Sequence, residues 1–244
     1  MSAFLLIPAY IGLNTTASAT RHFPKWEWYG SIWDMIKQMF VLTEPIKSQQ
    51  FDGGVNLYCG TFAILLIGIY IFNTKIKWYE KLKNVILIVF LMMSLNNTLL
   101  NYIWHGFHDQ YGIPNRFSFL FIFILLSMGY EALANTDKKQ IPGIVLGIIV
   151  AFGFLVYADK NIDMDRTVII LTWVLFAVYS AGIMALGLVR GKGRFAVAAI
   201  LSVLCLTEIV FSAAKGYESN GTVNIPDYYG DAASVQAAID SVKT

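Results

Sequence analysis

Long charge-free apolar runs, separated by short polar connections, dominate this chain. No Asp, Glu, Lys or Arg occurs over residues 53–74, 84–108, 140–158 or 167–189, gaps of 22, 25, 19 and 23 residues. About 20 helical residues cross a hydrocarbon core. Residues 117–135 and 195–214 are equally apolar except for one acid each, Glu131 and Glu208. The pattern predicts an all-α fold, a polytopic transmembrane helix bundle with six full spans. A seventh stretch, residues 1–13, contains Pro8 and as a helix would reach only ~20 Å, a partial N-terminal span. The alternative for residues 1–20 is a signal peptide, because Ala17-Ser18-Ala19 has the form of a cleavage site, although no base precedes the apolar core.

Two segments fall outside the spans, and they divide the chain into a helical domain over 1–215, with a long loop at 14–56, and a tail over 216–244. Within the loop, Ile32, Met35, Ile36, Met39 and Phe40 recur at helical spacing, which predicts an amphipathic helix over 32–42 lying at the membrane interface. In the tail, Ala232, Val235, Ala238, Ile239 and Val242 predict a second short amphipathic helix. Its stripe has no partner in the remaining sequence, so the natural chain is expected to continue into an outer domain, or this is a truncated copy of a longer one.

Composition agrees with a membrane protein. Hydrophobic residues make up 57% and charged residues 14% of the 244, against roughly a quarter charged in soluble proteins. A net charge of +2 gives no reason to expect a nucleic-acid partner. Cys59 and Cys205 lie in or beside apolar runs without metal-ligand spacing. Basic residues cluster in alternate connections: Lys75, Lys77, Lys81 and Lys83, then Lys138 and Lys139, then Arg190, Lys192 and Arg194. The positive-inside rule places these loops in the cytoplasm and puts the 14–56 loop and the C-terminus outside.

Polar residues at depth are the candidates for function, because hydrocarbon offers them no water. Asn97, Asn101, His105 and His108 are spaced four, four and three apart and share one face if the helix continues through them. They serve either helix–helix hydrogen bonding or a substrate cavity. Arg116 is either an interfacial snorkelling residue or a phosphate clamp. Glu208 lies ~20 Å along its helix from the basic end, where an acid pairs with a base or faces water, and Arg116 or His105 would be the partner. His105, His108 and Asp109 are the nearest approach to a divalent metal site; no cofactor is otherwise called for. Gly143 and Gly147 form a GxxxG that predicts close helix packing.

The stretch Asn101-Tyr-Ile-Trp104-His105-Gly106-Phe107-His108, followed by Pro114-Asn-Arg116-Phe117-Ser118-Phe119, resembles the signature region of the YfhO family. These are multi-pass bacterial membrane proteins of the C-type glycosyltransferase superfamily. Asn56-Leu57-Tyr58-Cys59-Gly60 and Tyr79-Glu80-Lys81 are similar too. The resemblance implies transfer of a sugar from a polyprenyl-phosphate donor to a cell-envelope polymer such as teichoic acid, at the outer membrane face. Arg116 and His105 would meet the donor phosphate, with His108, Asn101 and Glu208 nearby. Trp104, Phe107 and Tyr111 would stack on sugar rings. Superfamily members carry their catalytic acid in an early outer loop for which this chain has no counterpart, so the chain alone is expected to be incomplete as an enzyme. Asp109 is the only acid beside the cluster and the sole candidate general base. A transporter or channel, or a non-catalytic membrane fragment or assembly subunit, are the other readings.

Overall fold

The computed structural model describes residues 2–13, 15, 23–46, 54–107, 115–220 and 232–242. They form ten α-helices: α1 Ser2–Leu13, α2 Ile32–Lys37, α3 Thr61–Phe72, α4 Trp78–Asn96, α5 Thr98–Trp104, α6 Ser118–Ala134, α7 Ile141–Asn161, α8 Arg166–Leu188, α9 Gly191–Asn220 and α10 Ala232–Val242, with a 3-10 turn at Lys138–Gln140 before α7. Three of them, Lys138–Asn161, Arg166–Leu188 and Gly191–Ser219, are long and apolar enough to cross a membrane. α3 and α6, at 12 and 17 residues, reach only ~18 and ~25 Å against a core of about 30 Å.

Two of the charge-free runs are not single helices. Over 53–74 the helix starts only at Thr61, because residues 54–60 run extended and Gly60 adopts φ 97° as the N-cap, a conformation that favours glycine. Over 84–108 the helix breaks at Asn97, which has φ −111° and ψ 130° and whose side chain caps α5 through the N–H groups of Leu99 and Leu100. A side-chain cap of this kind stops one helix and starts the next.

α3 is the hub. Its sequence TFAILLIGIYIF is apolar on every side, as suits a helix enclosed all round, and it packs against α6, α7 and α8. Leu65, Ile69, Tyr70, Ile144, Leu155, Phe176, Tyr179 and Ile183 form the main core. In lipid, helices gain little from leaving an equally apolar solvent, so close van der Waals packing does most of the work. The glycines supply it, as the GxxxG predicts. A Cβ on Gly147 would stand 2.6 Å from Ile69 Cα, and one on Gly143 would stand 2.5 Å from Phe72 O. Gly147→Ala is therefore expected to force α3 and α7 apart and lower the melting temperature in detergent, whereas Gly153→Ala, with nothing within 4 Å, leaves it unchanged.

α2 ends at Lys37, short of the predicted 32–42, and it does not lie free at an interface. Met35, Phe40 and Val41 are buried; Phe40 stacks on Phe154 of α7, and Trp33 meets Tyr157. α10 matches the expected tail helix.

The three basic loops gather at one end of the bundle. Thr74 donates to Gln140 Oε1, and Lys75 donates to Asp137 at 2.7 Å. A Cβ on Gly187 would touch Ile141 and Asp137 O, which brings the α8–α9 connection to the same end. Lys81 caps α3 through the carbonyls of Ile71 and Asn73, and Arg194 caps α8 through that of Leu186. The Lys75 ammonium holds the Asp137 carboxyl below its ordinary range. A depressed carboxylate keeps its contribution at neutral pH and loses it only as pH falls below the usual value of about 4.

Candidate functional site

The opposite end of the bundle is built around the break at Asn97. A helix that stops inside an apolar environment leaves backbone groups that need partners, and segment 25–30 supplies them. Tyr29 N donates to Asn96 O at 2.9 Å and Thr98 N to Glu27 O at 3.0 Å. The Asn96 amide acts as a peptide mimic, accepting from Gly30 N at 3.2 Å and donating to Gly30 O at 2.9 Å. Asn97 donates to Glu27 O, and the Thr98 hydroxyl to Lys25 O. The segment is thus a strap stitched to the break. Asn96→Ala removes two of its hydrogen bonds. Each ~1.4 kcal/mol lost raises the open population about tenfold, so tryptic cleavage after the exposed Lys25 should accelerate by a comparable factor.

Asn101 follows one turn later and is buried. Its amide donates to Asn115 Oδ1, and Asn115 donates to Gly54 O at 2.7 Å. Asn115 has φ 54°, a left-handed conformation that asparagine tolerates better than most residues. Three chain segments are fixed here, immediately before Arg116. The asparagine stripe therefore closes the chain locally through caps and loop contacts. Among the described residues, Asn97 and Asn101 bond to cap and loop groups and not across two continuous helices.

Arg116 itself is exposed and makes no ion pair with any described residue. Beside it, Phe117 stacks on Trp104 at 4.9 Å and 13°, leaving the indole 41% exposed. Phe107 is exposed and meets Tyr102 edge-on. His105 is placed differently from expectation. Its Nδ1 lies 2.8 Å from Asn101 O and so carries the hydrogen, its ring edge meets Phe117, and its Nε2 is buried without a partner among the described residues. The cation presented to the surroundings is Arg116. His108, Asp109 and Tyr111 lie outside the described residues.

Glu208 does not join this cluster, contrary to the expected pairing with Arg116 or His105. Its Oε1 accepts from Tyr58 Oη at 2.5 Å and from Thr61 N at 2.6 Å, and its Oε2 accepts from Tyr179 Oη at 2.6 Å. Gly60 offers α3 no side-chain cap, so α9 supplies the carboxylate that caps it, where the helix dipole favours negative charge. Hydroxyls and a backbone N–H replace the expected base. The signal in the sequence was the pair of tyrosines, whose polar tips need partners when buried.

A family model described as bacterial membrane protein YfhO matches residues 1–243. No curated protein and no solved structure gives a significant match.

Proposed function

Because the chain belongs to the YfhO family of bacterial membrane proteins, we propose that it forms the membrane part of a glycosyltransferase-like protein. The reaction moves a sugar from a polyprenyl-phosphate donor to a cell-envelope polymer such as teichoic acid. The carrying observation is the exposed Arg116 immediately before Phe117, whose ring stacks on the half-exposed Trp104 indole at one end of the bundle. A guanidinium binds phosphate oxygens in a fork, and an aromatic face stacks on a sugar ring. Asn101, Asn115 and Gly54 hold the backbone beside Arg116 in place, which is the preorganisation that charge stabilisation requires.

In the step itself, an acceptor hydroxyl attacks the anomeric carbon and the bond from that carbon to the phosphate oxygen breaks. The polyprenyl phosphate leaves with the bonding pair, and Arg116 stabilises the charge that develops on it. Asp109 is the candidate to take the hydroxyl proton, and His108 would lie beside it. In this reading the basic end of the bundle faces the cytoplasm, six apolar segments cross the membrane, and Arg116 opens to the outer leaflet. A transporter would need a polar path to the basic loops. The asparagines that would begin one are hydrogen-bonded to backbone and to one another.

Cells lacking the protein should lose sugar from the envelope polymer and accumulate the polyprenyl-phosphate sugar. Unchanged polymer together with an unchanged lipid pool would refute the reading.

A further inference from the structure

The strap over residues 25–30 carries two different sides. Its odd-numbered residues hold it to the break at Asn97, through Lys25 O, Glu27 N and O, and Tyr29 N. The alternate residues are Trp26 and Trp28. Their rings meet edge-on at 6.0 Å and 83°, so the two indoles share a side, and each is just over half exposed. The backbone groups of both bond to none of the described residues. Phe23, also exposed, ties the approach to the strap against Tyr102 of α5.

The height of this side in the bundle is fixed by α4. That helix begins at Trp78, beside the basic loops, and ends at Asn96, where the strap is stitched. Its 19 residues reach ~28 Å, close to the ~30 Å of a hydrocarbon core. Trp78 and Tyr79 are exposed at its start, with the Lys77 ammonium 5.6 Å from the centre of the Tyr79 ring. Other helices repeat the spacing. Exposed Tyr130 lies one turn from the basic end of α6. Exposed Tyr157, in contact with Trp33, lies ~24 Å along α7 from Ile141. Between these two levels the large exposed apolar side chains of α4, α6, α7 and α8 are Leu, Ile, Val, Met and Phe, with no Trp or Tyr.

We infer that the strap is a lipid-binding ribbon. It lies along the lipid–water border at the end of the bundle remote from the basic loops. Trp26 and Trp28 sit among phospholipid headgroups and the upper parts of the chains, and the charged groups of Lys25 and Glu27 reach water. An indole suits that depth because it joins a large apolar body to one N–H donor. Free backbone groups at Trp26 and Trp28 are excluded from hydrocarbon but are hydrated at the border. The border expected for α2, which is packed inward, thus falls to the segment before it. The inference holds whether or not the chain transfers sugar.

Fluorescence quenching of the full chain in phosphatidylcholine nanodiscs provides the test. Subtracting the emission of Trp26→Phe/Trp28→Phe from that of the wild type isolates the two indoles. Phospholipid with a nitroxide near the headgroup should quench them at least about threefold more than phospholipid with a nitroxide at the chain end, because the border lies ~15 Å from the bilayer centre. Aqueous iodide should quench them less than the headgroup-side nitroxide does. If the double variant fails to insert, Trp26→Phe alone gives the same comparison. Strong iodide quenching with no response to either lipid would place the indoles in water, free to stack on sugars, and would overturn the inference. Stronger quenching from the chain ends would overturn it as well.

Discussion

Glu208→Ala is expected to destabilise the bundle by about 3 kcal/mol, whereas Glu208→Gln costs less than about 1 kcal/mol. Alanine leaves Thr61 N, Tyr58 and Tyr179 facing a carboxylate that is gone, and unmade hydrogen bonds on buried groups cost ~1–3 kcal/mol each. In lipid the sum is reduced, because the separated helices also find partners. Glutamine keeps the geometry: its oxygen accepts from Tyr58 and Thr61 N, and its amide donates to Tyr179. The effect is large because α9 holds to the bundle through so little else. Leu201 and Glu208 are its buried residues on one face, with Leu201 seated against Gly182 of α8. Thermal unfolding in detergent should order the proteins wild type, Gln, then Ala. A Gln variant as unstable as the Ala variant would show that charge, and not donor satisfaction, holds α9.

Arg116 carries the larger expected effect on activity. Removing one preorganised group that stabilises developing charge costs about 100-fold to 1,000-fold in rate, so Arg116→Ala should reduce sugar transfer by at least about 100-fold. Arg116→Lys keeps the charge and loses the fork, and about tenfold loss is expected. Because the side chain is exposed and makes no ion pair among the described residues, insertion and melting temperature should not change in either variant. A loss of transfer accompanied by lost stability would point to a structural role, and so would equal activity of Ala and Lys.

How much of this could be read from the sequence depends on the range of the interactions. The helices at 141–161 and 166–188 follow from missing charge and length alone, which are local properties. The close approach of α7 to α3 follows from Gly143 and Gly147, since only small residues let backbones touch. The break at Asn97 is different. Ser94-Leu95-Asn96-Asn97-Thr98-Leu99 sits in an apolar run that reads as continuous helix, and the partners that make the break tolerable come from residues 25–30, some 70 positions away. Successive Asn-Asn-Thr residues, each a good helix cap, were the local hint. Glu208 was recognisable as an acid at depth, but depth does not name a partner. A search for an opposite charge passes over Tyr58 and Tyr179, which carry none. At the Arg116 end, the sequence placed His105 and Arg116 together as cations. The fold instead turns the imidazole onto Asn101 O and leaves the guanidinium exposed.

The most direct test of sugar transfer uses purified full-length protein in liposomes with a polyprenyl phosphate bearing a radiolabelled sugar and the envelope polymer as acceptor. Label should move from lipid to polymer with the wild type, fall about tenfold with Arg116→Lys, and stay on the lipid with Arg116→Ala. Transfer by the Ala variant at the wild-type rate, or label retained on the lipid with every protein, would contradict it.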